Sequence, residues 1–463
     1  MRFSMAQDFR RVSTLVLLPP LLAVSYISAF GVLGFVGFQL WLEHVAMANG
    51  EASPYGWELE QEDWTGGIKK GGTDPSLGMF VRIALRSAWF FQHWADNQSQ
   101  DANSSSSTLT MLFGRPERGL ELAEEYLRWA IGYLNATKKP IPPALLQRHA
   151  EVLESLGTEP ALVDAWKETV LLYSTTLSGS LERAKLALKM GNLMARNRNP
   201  DKAVEFWNEA LKIRDIDGEN LVVAELSPAE QRHVVDVYLQ LSAFYSTQQE
   251  YAKALEPQVL GMVLVDRSLH KQYEASPVNE LHRLYLGQRG SLFVIHSAMT
   301  QFAPSSDMSS ALKLLDNAIK HETNVIRELC TGDYHSPTIP TFDEPASDDD
   351  ANSLAITIPS AEPSTLSSIH PVYANVKALL RPSTALLRDA RHTILQARLL
   401  QGTILETLES PAANKVALSA YRNALQWAGM TVERGKLLGI PEAEVMDLQR
   451  RIESIQKRID FEF

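Results

Sequence analysis

Cysteine is nearly absent from this chain of 463 residues. Cys330 stands alone, so neither an intrachain disulfide nor a cysteine cluster for zinc or iron–sulfur is possible, and stability has to come from packing. A basic surplus is absent too. The 44 Lys and Arg face 55 Asp and Glu, and setting aside Arg2, Arg10, Arg11 and Asp8 leaves 41 basic against 54 acidic groups beyond residue 42. A body that acidic repels phosphate backbones, which argues against nucleic-acid binding through a broad basic face. Familiar catalytic motifs are missing as well. His321-Glu322 has no second histidine at helical spacing, no Gly-rich loop ends in Lys-Ser/Thr, and Gly-x-Ser-x-Gly does not occur. Asp348-Asp349-Asp350 lacks the fixed oxygen cage of selective calcium binding, and the histidines, His233 among them, are scattered singly. No metal, no cofactor and no enzymatic activity is expected. With 45% hydrophobic and 21% charged residues, the chain is globular with ample material for a core.

Charge is missing altogether from Val12 to Leu42, a run of 31 residues, and ~20 mostly apolar residues suffice for a helix to cross a bilayer. The expectation is a transmembrane helix over residues 12–42 behind a short basic leader, residues 1–11. A cleaved signal ending near Ala46-Met47-Ala48 is the rival reading, although this apolar stretch exceeds the ~7–15 residues of a signal core. Arg2, Arg10 and Arg11 precede the run; Glu43, Glu51, Glu58, Glu60, Glu62 and Asp63 follow it. Positive flanks stay inside, which directs the body outward. Gly31, Gly34 and Gly37 are candidates for close contact with another membrane helix. Residues 43–77, with Trp57 and Trp64, read as a juxtamembrane neck whose aromatics rest either on the headgroup layer or on the body.

From residue 78 onward the apolar periodicity is helical and the breaks are short. In one segment Ala187, Met190, Gly191, Met194, Ala203, Trp207 and Ala210 occupy positions four, seven, eight, eleven, twenty, twenty-four and twenty-seven of the 34-residue tetratricopeptide pattern, where small residues sit at the contact of two antiparallel helices. Asn199-Pro200 falls in the turn. Tyr238, Leu241, Ser242, Tyr245, Ala254 and Gly261 repeat the scheme, and Gly402, Ala417, Tyr421 and Ala424 do so with three extra residues in the Glu409–Asn414 turn. Second helices recur at Ala123–Ala130 and Ala311–Ala318, each after a polar insertion, Asn97–Ser107 and Pro304–Ser310. The expected fold is therefore all-α: a tetratricopeptide-like solenoid over residues 78–463 behind one N-terminal membrane helix. The stretch at about 334–371, rich in Pro, Ser, Asp and Glu, reads as a disordered acidic insertion.

Repeat arrays of this kind offer a surface lined by their first helices. In the Gly191 unit its inward positions are Lys185, Leu188, Lys189, Asn192, Ala195 and Arg196. Three cations and an amide suit acidic side chains or backbone carbonyls of an extended polypeptide, with Leu188 and Ala195 adding apolar contact. Asp236 and Gln240 stand at the corresponding positions of the next unit, so a full carboxylate clamp of the chaperone-tail receptors is not formed.

An Arg-containing leader, an apolar span, an acidic tetratricopeptide body and a long polar insertion together make a layout that resembles the fungal mitochondrial inner-membrane adaptor of the i-AAA protease. The resemblance implies an N-terminus in the matrix, a body in the intermembrane space, association with the membrane-bound protease and delivery of unfolded polypeptides to it. Mitochondrial import receptors, respiratory assembly factors and secretory-system scaffolds share the layout. The acceptor sequons at Asn97, Asn103 and Asn135 discriminate, since glycans on them would point to the secretory route.

Overall fold

The computed structural model describes residues 33–48, 57, 64–66, 71–100, 116–212, 226–270, 276–305, 308–332, 368–408, 410–427 and 442–461. These are helical almost throughout, with one isolated bridge, Ala48 to Gly71, and no strand among them. The long helices of the body are α1 (Met79–Gln100), α2 (Pro116–Ala136), α3 (Pro143–Leu156), α4 (Glu159–Thr175), α5 (Leu181–Arg196), α6 (Pro200–Ala210), α7 (Pro228–Thr247), α8 (Tyr251–Leu269), α9 (Pro277–Ser305), α10 (Met308–Thr331), α11 (Lys377–Glu406), α12 (Pro411–Trp427) and α13 (Glu442–Phe461). Each packs mainly on its neighbours in sequence, in the pairs α1–α2, α3–α4, α5–α6, α7–α8, α9–α10 and α11–α12, as a helical repeat requires.

Local sequence sets the helix ends. Proline opens α2, α3, α6, α7, α9 and α12, at the one position where its missing N–H costs nothing. Ser180 and Asn199 cap α5 and α6 by accepting from the Arg183 and Lys202 amides. Ser227 and Glu230 form a reciprocal capping box at α7. The two best-matched units also turn alike. Arg198 and Gln249, each at position fifteen of its unit, both adopt left-handed backbone at φ 56° and 62°. The amides that follow, Asn199 and Glu250, donate back to the Met194 and Tyr245 carbonyls at 3.0 and 2.9 Å, the long bond of a Schellman ending.

Small residues sit where the helices close. Ala203 and Ala210 are fully buried, as are Ala254, Ala417 and Ala424, and the weaker second helices bury Ala123, Ala130, Ala311 and Ala318. A methyl group added to Gly191 would lie 2.5 Å from the Trp207 ring, and one added to Gly402 would overlap Tyr421. Positions eight and twenty-four thus interlock in both units. In the Gly402 unit the three extra residues are not a longer loop: α12 begins at Pro411, six residues before Ala417, whereas α6 begins three before Ala203. The addition extends the helix by about a turn.

Several expected boundaries shift. The segment Pro304–Ser310 is mostly helix, because α9 runs to Ser305 and α10 starts at Met308, and α1 continues to Gln100 into Asn97–Ser107. Most of the acidic insertion lies outside the described residues, but its end is packed. The His370 amide donates to the Leu329 carbonyl at 2.9 Å, the turn Pro371–Ala374 follows, and Tyr373 is fully buried. Of the expected span, residues 12–32 lie outside the described residues, and no described helix is long and apolar enough to cross a membrane. Residues 33–41 are helical and pass into a π-helical turn, Leu42–Ala46. Their last part belongs to the body: Phe38 meets the Phe90 ring edge-on at 5.4 Å, while Gln39 and Leu42 are buried. Contact with the body thus begins by Phe38, within the run expected to end at Leu42.

Candidate functional site

On α5 the residues Lys185, Leu188, Lys189, Asn192 and Arg196 are three or four apart, which places them on one helix face. In the folded chain each also has a neighbour that the sequence did not show. Lys189 Nζ and Arg196 Nη1 both lie 3.5 Å from the Glu154 carboxylate of α3, so the preceding first helix supplies a counter-charge. Asn192 Oδ1 accepts the Trp207 indole N–H at 2.9 Å, tying a face residue into the Gly191–Trp207 interlock. Leu188 packs half-buried against the core of this region. Lys185 raises the positive field around His233. Burial chiefly, with that field adding, pushes the His233 imidazole down to about 4 even though it bonds the Ala210 carbonyl.

Farther along, the first helices α7, α9 and α11 are laced by one guanidinium. Arg289 donates through Nε to Asp236 Oδ1 at 2.9 Å, through Nη1 to Gln288 Oε1 at 2.7 Å and through Nη2 to the Tyr285 hydroxyl at 3.1 Å. Tyr285 donates to Asp236 Oδ2 at 2.6 Å, and Asp389 of α11 lies 3.5 Å from Arg289. Burial opposes the Arg289 charge, and the phenol with the two carboxylates more than offsets it, holding this guanidinium firmly protonated. One turn earlier on the same two helices, Arg232 stacks 3.8 Å over the indole of Trp57. The Trp57 N–H donates to the Val278 carbonyl at 3.3 Å, and its ring meets Tyr285 edge-on. Trp57 is 1% exposed; this neck residue rests on the body. Trp64 does so too, buried with Arg148 over its ring. Partners this far apart in sequence leave no local periodicity, so only the aromatic itself in a polar segment could have drawn attention.

At the entry to the body Glu43 is clamped. Its carboxylate accepts from Arg86 at 2.6 Å, Arg82 at 3.1 Å, and the Thr73 hydroxyl and amide at 2.6 and 3.0 Å. Burial raises its pKa, but the Thr73 and Arg86 hydrogen bonds outweigh this and hold it below the ordinary carboxylate range. The apolar segment is thereby fixed to α1. A Cβ added at Gly34 or Gly37 meets no atom within 4 Å, so among the described residues nothing packs closely on either glycine; Gly31 lies outside the described residues.

Between α9 and α10, Ser291 Oγ and His321 Nδ1 are 2.9 Å apart with Glu322 adjacent. Ser291 and Glu322 are wholly buried, and the same Nδ1 faces both partners, so this trio is built as packing. Among the described residues no group of three His, Cys, Asp or Glu could hold a metal ion. Compared with protein families, curated proteins and solved structures, the chain matches none of them.

Proposed function

We propose that this protein is a membrane-tethered, non-catalytic adaptor with a tetratricopeptide-like solenoid body that binds extended polypeptides and brings them to a membrane-bound machine. The observation that carries this reading is the α5 face. Lys189 and Arg196 share one side of a first helix with Lys185, and both reach a single carboxylate, Glu154, on an otherwise acidic body. Arg196 keeps 49% of its side chain exposed in its pair with Glu154; an exposed pair contributes little to folding, so this cation can turn to an acidic or carbonyl-rich strand. The Glu43 clamp supports the tether, because it makes the end of the apolar run and the first helix of the array one piece. The layout favours the mitochondrial inner membrane, with the N-terminus in the matrix, the body in the intermembrane space and the i-AAA protease as the machine. Residues 12–37 are long enough to span, and Gly31, Gly34 and Gly37 offer the machine's own membrane helices a close approach.

The test is a co-purification from cells carrying Lys189→Glu with Arg196→Glu. Recovery of unfolded substrate should fall several-fold while the protein stays folded and anchored, and recovery of the protease should persist. Unchanged substrate recovery would show that the α5 face is a solvated surface.

A further inference from the structure

The packing of Trp57 marks a second binding element. Arg232 is one turn before Asp236 on α7, and Tyr285 is one turn before Arg289 on α9; both therefore continue the face that the Asp236–Arg289 network occupies. Into that face Trp57 brings an indole from 221 residues away. The socket recognises it in three ways: the guanidinium plane of Arg232 stacks on it, the Val278 carbonyl takes its N–H, and the edge of Tyr285 closes its side. Leu281 and Leu284 belong to the same buried apolar cluster as Trp57. Each of these contacts is made by the Trp57 side chain itself. Any polypeptide that presents a tryptophan between α7 and α9 would meet the same stacking cation and the same acceptor.

We infer that the Arg232–Val278–Tyr285 socket is a docking site for a tryptophan of an extended polypeptide, and that Trp57 fills it in cis as a resident competitor. The inference deepens the adaptor reading by naming a side-chain class that substrates use. It also makes capture conditional, since an incoming segment must displace Trp57. A tethered competitor acts at an effective concentration in the millimolar range, so weak ligands are turned away and only segments that also engage the α5 cations hold on.

The experiment uses the full chain in detergent. The probe is a labelled synthetic peptide covering residues 49–63 of this sequence, whose one tryptophan is Trp57, with a second peptide carrying Ala in place of Trp57 as control. Trp57→Ala protein should bind the tryptophan peptide at least tenfold more tightly than the unaltered protein, Trp57→Phe should fall between, and the control peptide should bind neither variant. Adding Lys189→Glu with Arg196→Glu to Trp57→Ala should leave peptide binding in place. A gain of peptide binding therefore supports the socket even where the α5 reading fails. If Trp57→Ala is folded and binds no more peptide than the unaltered protein, the socket is a core site and the inference is overturned. Loss of the fold in both Trp57→Ala and Trp57→Phe would overturn it equally, because Trp57 would then be a structural residue.

Discussion

The α5–α6 pair and the block formed by α9, α10 and α11 use helices of similar kind and close them with different chemistry. In the first, Gly191 lies under Trp207 while Ala187, Ala203 and Ala210 are fully buried; shape does the work. In the second, the buried contacts include Gln288 to Thr393 at 2.9 Å, Ser291 to His321, and Arg398 to Gln401 at 2.9 Å. Glu280, Glu322 and Glu328 are buried there as well. An apolar interlock gains from every methylene removed from water. A polar interior gains only when each partner is present, and one missing partner leaves the other stranded. Side-chain volume should govern the first region, and pH and pairing the second.

The sharpest way to break that contrast is to empty the interlock. Trp207→Ala removes a ring that is 2% exposed and strands the Asn192 oxygen, so ~3–5 kcal/mol should be lost in urea unfolding. Tyr421→Ala, at the matching position over Gly402, should cost a similar amount. A much smaller loss at Tyr421 would mean that α11, a member of the polar block, does not rely on its interlock with α12.

Acidity should separate the two regions next. Burial first, and the neighbouring Glu280 second, push the Glu328 carboxyl up to about 7. A carboxyl whose folded pKa is raised contributes stability that is complete below its unfolded value and lost as pH rises through the folded one. The α9–α10 pair should therefore weaken between about pH 5 and pH 8, and Glu328→Gln should flatten that slope. Hydrogen exchange of α10 against that of α6, followed over this range, checks it. Equal pH dependence in both helices would remove the distinction.

Pairing is the third lever. Gln288→Ala should destabilise by ~1–3 kcal/mol, because Thr393 and Arg289 each lose a buried partner. Gln288→Leu combined with Thr393→Val should cost clearly less than the sum of the single changes. An additive result would show that the hydrogen bond at 2.9 Å carries no coupling.

The same contrast explains what could be read from the sequence. The Gly191 unit is legible because its determinants are local and volumetric: a glycine, alanines and a tryptophan at fixed offsets within 34 residues. The α9–α11 block carries buried Ala311 and Ala318 and so reveals its second helix, but its first helix hides behind polar residues whose partners come from α11, about 100 residues on. The candidate face on α5 was legible as a row of residue types, and its Glu154 counter-charge was not, because α3 lacks a matching register. Trp57 shows the limit most plainly. Its neighbours in sequence suggest a neck, and only the folded array supplies the Arg232 plane it rests on.

The smallest effect asks whether the shared turns of the repeat units come from local sequence or are imposed by packing. Arg198 and Gln249 hold left-handed backbone without being glycine, a conformation that costs an L residue ~1–2 kcal/mol. Gly157, which ends α3, adopts the same conformation at φ 65°. A Cβ there would meet only the Glu154 carbonyl oxygen at 3.9 Å, so a substitution at Gly157 tests backbone conformation and not crowding. Gly157→Ala should destabilise by about 1 kcal/mol. Arg198→Gly and Gln249→Gly should each stabilise, by less than this, because glycine relieves the left-handed strain but also loosens the unfolded chain. Thermal unfolding of the three variants against the unaltered protein measures the signs. Opposite signs at Gly157 and at the two repeat positions would show that tertiary packing, not the turn residues, holds Arg198 and Gln249 in place. If Arg198→Gly or Gln249→Gly instead destabilises, the side chain lost there contributes more than the strain it carries, and the turn is specified locally after all.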